Sequence, residues 1–191
     1  GRIAYSRAVG GVWQCGCSAQ AALIAVSTET NTEKVYSFAE LHQEVQRMAA
    51  AFKDLGVQKG DRVLIYMPMV AEAAFAMLAC VRIGAIHSVV FGGFASGSLA
   101  SRIEDAQPRL IVSADAGSRG GKAVEYKPLL DEAIRLSSHK PDGVLLVDRG
   151  LAAMNLVAGR DHLWGAMRDK HLNAQVPCEW VDSTHPSYTL Y

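Results

Sequence analysis

From Ala21 onward the apolar positions follow two alternating periods. Residues 21–26 form a short apolar run suited to a strand, and residues 33–36 pair with it as a hairpin. Ser37 opens a helix, with Glu40 three residues later completing a capping box. Phe38, Leu41, Val45, Met48, Phe52 and Leu55 recur at three- and four-residue intervals and make one apolar stripe. Gly56 is placed to close that helix in a left-handed cap. Strands are then expected at residues 62–67, 85–91, 109–113 and 144–147, with another starting at 188–191. Helices are expected at 69–83 (ended by Gly84), 98–106 and 128–137, and over 161–171 with Asp161 as cap. Residues 117–126 read as a loop.

Strands alternating with helices over short connections predict an α/β fold, a mainly parallel sheet with helices on both faces. Residues 1–20, rich in Gly, Ala and Ser, show neither period and read as a poorly structured lead-in. The chain opens on Gly and closes within an expected strand, so both ends read as internal to something longer.

Composition narrows the class without naming a function. Half of the 191 residues are hydrophobic and 20% are charged, which fits a globular chain rather than a disordered one. Nineteen basic residues balance nineteen acidic ones, so no global field favours nucleic acid or an anionic membrane, and anion binding must be local. The most apolar helix, near residues 69–81, is too short to span a bilayer and carries Glu72. Cys15 and Cys17 form a lone C-x-C without a second ligand pair, Cys80 falls in an apolar helical run, and no disulfide framework is visible. This usage suits a reducing, cytoplasmic setting.

In open parallel sheets, ligands bind beyond the carboxyl ends of strands. Two loops fall there. The first, GGFASG after the strand ending at Phe91, could let backbone N–H groups approach an anion or ring, with Phe91 and Phe94 as an aromatic face. Read alone it is better described as a tight strand-to-helix turn with both phenylalanines in the core, since it is neither a P-loop nor G-x-G-x-x-G. The second, GSRGGK (residues 117–122), places Arg119 and Lys122 around Gly120 and Gly121. A phosphate site and a solvated surface turn account for it equally well. His42 and His139, expected on helix surfaces, and His87, in a strand, have no carboxylate or cysteine at ligand spacing, Asp115 and Asp131 have no evident carboxylate partner, and no catalytic or metal motif is present.

Several longer strings carry a resemblance. YSFAEL (residues 36–41), GVQKGDRVLIYMPM (56–69), RIGAIHSVVFGGFASGSLASRI (82–103) and SADAGSRGGKAVEYKPLLDEAI (113–134) resemble the N-terminal region of acetyl/propionyl-CoA synthetases, AMP-forming members of the adenylate-forming superfamily. YMPM and VVFGGF mark the short-chain branch, and RGGK with EYKPLLDEAI is most similar to bacterial propionyl-CoA synthetase. The resemblance covers residues 21–191, nearly nine-tenths of the chain, as the N-terminal part of the large AMP-binding domain.

The resemblance implies a two-step reaction. A short carboxylate and ATP (with Mg) give acyl-AMP and diphosphate, and the CoA thiol then displaces AMP. It implies CoA binding at Phe91, Gly92, Gly93, Arg119, Gly120, Gly121 and Lys122. Residues 1–20 do not match the family. The Thr/Ser/Gly/Lys loop that cradles ATP in the family would follow Tyr191, so this stretch is expected to be inactive alone. The implied partners are small molecules, with neither nucleic acid nor membrane among them. A non-catalytic CoA- or nucleotide-binding module is the alternative; a dinucleotide-binding domain would need the missing G-x-G-x-x-G.

Overall fold

The computed structural model describes residues 2–3, 18–119 and 122–191. Its strands are β1 (Arg2–Ile3), β2 (Ala21–Ser27), β3 (Thr32–Ser37), β4 (Arg62–Met67), β5 (Ile86–Phe91), β6 (Leu110–Ala114), β7 (Ala116–Arg119), β8 (Lys122–Glu125), β9 (Gly143–Val147), β10 (Asp161–Leu163) and β11 (Val181–Asp182). Its helices are α1 (Phe38–Asp54), α2 (Ala71–Ile83), α3 (Ser96–Ala106), α4 (Tyr126–Leu136) and α5 (Trp164–Lys170).

A five-stranded, wholly parallel sheet in the order β10-β9-β6-β4-β5 forms the centre. The sequences RVLIYM, LIVSA and GVLLV of its inner strands are continuous apolar runs because both faces are covered. Helix α1 packs on α2, and α3 packs on α4. The strand order reverses direction after β5, and crossovers of the usual right hand then put these pairs on opposite faces. The α1 stripe (Leu41, Val45, Met48, Phe52) is buried against this core, as its spacing demands.

Local signals at α1 are all realised. Ser37 Oγ accepts from the Glu40 N–H, while Glu40 returns a carboxylate oxygen to the Ser37 N–H at 2.8 Å. The Phe38 and Ala39 N–H groups donate to the Gln20 and Ser18 carbonyls, so the first-turn donors are satisfied. Gly84 ends α2 at φ +70°, and a Cβ there would lie 3.1 Å from the Lys59 and Glu179 side chains.

Four expectations are corrected. Residues 117–126 are not a loop: β7 and β8 pair antiparallel from Ala116↔Glu125 to Arg119↔Lys122, and α4 starts at Tyr126, before Pro128. Asp161 does not cap a helix over 161–171. It lies in β10, where its carboxylate is taken by Arg160, Lys127 and the Val157 N–H, and the helix starts only at Trp164. Residues 188–191 contribute a single parallel bridge, Tyr188 to His87, rather than a strand start. His139 lies past the end of α4, with its Nε2 2.8 Å from the Pro108 carbonyl oxygen. In the lead-in, Arg2–Ile3 pairs antiparallel with Val181–Asp182; residues 4–17, including Cys15 and Cys17, lie outside the described residues.

The long connection after α5 is held by buried polar groups. Gln46 Oε1 accepts the Val176 N–H at 2.9 Å, and Arg82 Nε donates to the Val176 carbonyl at 2.6 Å. Both side chains are buried, and together they satisfy the N–H and the carbonyl of Val176.

Candidate functional site

A cleft of about 700 Å³ opens at the carboxyl ends of β4 and β5, where a parallel sheet presents its loops. One wall comes from Met67, Pro68 and Met69 after β4 and from Val89 through Gly93 at the end of β5. The opposite wall comes from Ser27, Thr28 and Glu29 in the β2–β3 turn, with Ser118 of β7, Tyr126 and Arg149.

Tyr126 makes these walls meet. A Cβ on Gly92 would lie 2.6 Å from the Tyr126 Oη, and one on Gly117 would overlap the same phenol. Only glycine lets both backbones close on one ring. The Tyr126 ring lies 5.2 Å from that of Tyr66, whose hydroxyl donates to the Phe94 carbonyl at 3.0 Å. Burial raises the pKa of Tyr126, with Glu29 adding to the effect and Arg149 opposing it. Burial likewise pushes Tyr66 up to about 12, so its phenol stays neutral and acts as a donor, while Tyr126 acts through packing.

Beneath the hairpin sits Asp115, fully buried at the end of β6. Its Oδ1 accepts the Ala116 N–H at 2.7 Å, and Oδ2 faces the N–H groups of Leu151 at 2.7 Å, Arg149 at 3.2 Å and Ala152 at 3.3 Å. A buried carboxylate is tolerable when donors surround it. The Arg149 guanidinium reaches the Ala116 carbonyl at 3.0 Å and Ser27 Oγ at 3.2 Å, and pairs with Glu29. Glu29 also accepts the Ser118 N–H.

The structure places three of the seven sequence-derived site residues at this cleft. Phe91, Gly92 and Gly93 line it. Phe91 is 65% exposed, which overturns its placement in the core; Phe94 is the partner that packs inward, edge-on at 6.3 Å, with Arg102 stacked 4.6 Å over its ring. Arg119 and Lys122 are the last paired residues of the hairpin, next to the cleft-lining Ser118; Gly120 and Gly121 lie outside the described residues. Sequence reasoning missed Tyr126, Asp115, Arg149 and Glu29. Asp115 carried a signal, since an acidic residue directly after an apolar strand lies at the ligand-binding end of a parallel sheet. Glu29 and Arg149 carried none, being 120 residues apart.

Among the described residues no group of three or more His, Cys, Asp or Glu gathers as metal ligands, and no helix is long and apolar enough to cross a membrane. Cys80 is a buried free thiol whose pKa is pushed well up by desolvation.

Residues 16–191 match the family model of AMP-binding enzymes. The chain belongs to that family. Within it, the chain is 61% identical over 170 residues to a propionate–CoA ligase of Salmonella typhimurium and 59% identical to that of Escherichia coli, in each case over 89% of this chain and 27% of the relative. It is 43% identical to the human mitochondrial acyl-CoA synthetase short-chain family member 3, over 89% of this chain and 25% of that protein. An acetoacetyl-CoA synthetase from Streptomyces lividans shares the fold, with a TM-score of 0.85 over 100% of this chain and 28% of that one at 24% identity. The chain therefore spans about a quarter of the length of the relatives it matches.

Proposed function

We propose that this chain supplies the CoA-nucleotide side of an AMP-forming short-chain acyl-CoA synthetase acting on propionate. One observation carries the reading: the Phe91–Gly92–Gly93 loop and the β7–β8 hairpin converge on one cleft across Tyr126. Exposed Phe91 offers a ring face for adenine, the neighbouring glycines admit close backbone approach, and Arg119 and Lys122 bring cationic side-chain types for phosphates. Identity of about 60% to two bacterial propionate–CoA ligases supports propionate over other acids.

In the whole enzyme the carboxylate would attack the α-phosphorus of ATP, releasing diphosphate. The CoA sulfur would then attack the acyl carbon, with AMP leaving. Magnesium enters with ATP as substrate, and none of the described residues is assigned to it. These 191 residues contain no Thr/Ser/Gly/Lys phosphate loop, so they bind without turnover. A cytoplasmic setting accords with Cys80 as a buried thiol.

Calorimetric titration of CoA into the chain tests the reading. Binding should weaken roughly tenfold in the Arg119→Ala, Lys122→Ala double variant, the loss of charge-assisted contacts. Unchanged affinity would remove the hairpin from the site. Propionate-dependent ATP–diphosphate exchange by this chain would overturn the absence of turnover.

A further inference from the structure

Glu29 belongs to the turn between β2 and β3, yet its carboxylate reaches groups from other parts of the fold. Oε1 accepts the Ser118 N–H, and Oε2 accepts from Nη2 of Arg149. The same Nη2 lies 3.2 Å from Ser27 Oγ. The cation is built in: its side chain is 8% exposed, Nη1 donates to the Ala116 carbonyl, and Asp115 fixes its backbone N–H. The anion is the less buried partner, 20% exposed and carried by a turn.

A guanidinium and a backbone N–H directed at one carboxylate, with the Ser27 hydroxyl beside the same Nη2, form a donor set that also suits a phosphate. We propose that Glu29 is an internal anion occupying a phosphate subsite formed by Arg149, the Ser118 N–H and Ser27 Oγ, and that a phosphate or diphosphate group of the nucleotide ligand displaces it. The inference rests on the reading of the cleft as a CoA-nucleotide site. Three features support it. Ser118 precedes Arg119 on the hairpin, so a phosphate here would lie next to the RGGK segment. Glu29, Arg149 and Gly92 all border the same cleft. A phosphate group also carries more negative charge than the carboxylate it would replace.

A purely structural clip and a stand-in anion differ in sign. If Glu29 only ties the turn to the hairpin, neutralising it loosens the cleft and weakens binding. If it competes with ligand, neutralising it strengthens binding. The test titrates inorganic pyrophosphate and, separately, CoA into the wild-type chain, Glu29→Gln, Arg149→Lys and the double variant. The Ser118 amide is followed by ¹H–¹⁵N correlation, with far-UV circular dichroism as the folding check.

Glu29→Gln should bind pyrophosphate about fivefold or more tightly, as expected for removal of a like charge at contact distance. The Ser118 amide should shift, and the gain should vanish in the double variant. Unchanged or weaker binding by Glu29→Gln, or a gain that survives in the double variant, overturns the proposal. Should Arg149→Lys unfold, Ser27→Ala replaces it and should reduce the gain; an undiminished gain counts against the subsite. If pyrophosphate shows the expected pattern while CoA binds no variant, the subsite stands and the CoA reading fails. If CoA binds the wild type but neither probe gains from Glu29→Gln, the CoA reading stands and the subsite fails.

Discussion

The Tyr126 hydroxyl oxygen lies 2.6 Å from where a Cβ on Gly92 would stand, so the loop after β5 rests directly on the first residue of α4. Tyr126 cannot yield, because Gly117 presses on the same phenol and Tyr66 lies 5.2 Å away. Gly92→Ala should therefore lower stability by about 1–3 kcal/mol, the typical cost of overpacking. It should also weaken CoA binding, since the two cleft walls can no longer close on one ring. Urea unfolding and calorimetry read the two effects separately. Wild-type stability in this variant would show that the loop moves freely.

Lys127 is buried between Asp131, at 2.5 Å, and Asp161, at 3.0 Å. Lys127→Met should cost about 3 kcal/mol, near the lower end for breaking a buried pair, because Arg160 still meets both carboxylates. Denaturant midpoints measure it. A change below about 0.5 kcal/mol would mean that Arg160 alone holds β10.

Burial lowers the pKa of His87 below its ordinary 6.5, and its Nδ1 has no partner among the described residues. Burial, then Arg82, does the same to His42. A lowered histidine pKa favours the neutral ring in the folded state. Its stabilisation is therefore present above pH 6.5 and is lost as pH falls through the folded value. Melting temperature should fall between pH 7.5 and pH 5, and His87→Phe should flatten that slope. An unaltered slope in His87→Phe would assign the effect elsewhere.

Glu104 on α3 gathers the Ser138 and Ser137 hydroxyls and the Ser138 and His139 N–H groups, which bind the end of α4 to α3. These bonds, led by that from the Ser138 side chain, hold its pKa down at about 2 against an ordinary 4.5. A lowered carboxylate pKa makes the contribution complete above pH 4.5 and lost as pH falls through about 2. Glu104→Gln should remove that share of the acid sensitivity in thermal melts. A variant that melts in parallel with the wild type across this window would show that the clasp adds nothing.

Met69, Phe91, Leu190 and Val26 are all more than half exposed around one cleft. A contiguous apolar rim of this kind favours association. Sedimentation velocity should show concentration-dependent self-association that Phe91→Ser reduces. A monomer at high concentration would contradict it.

What the sequence made legible was whatever its own neighbours decide. The capping box at Ser37 and Glu40 and the left-handed end at Gly84 are local, and the apolar runs of β4, β6 and β9 declare burial on both faces. The β7–β8 hairpin is short and polar, so neither period registers, though Gly-Gly between two strands was a usable turn signal. Asp161 looked like a cap because caps and buried ion partners draw on the same residue types; the choice was made by Lys127 and Arg160, which no window around Asp161 weighs together with β9. The glycine loop was legible as a place but not as a surface. Whether Phe91 or Phe94 faces solvent depends on Arg102 and Tyr66, which engage Phe94.

Asp115 gives the cleft a fulcrum. Its single carboxylate holds the root of the β7–β8 hairpin through Ala116 and the 149–152 segment through three further N–H groups. One side chain thus sets where β7 begins and where the Arg149 backbone lies, so a change at Asp115 displaces both borders of the cleft together.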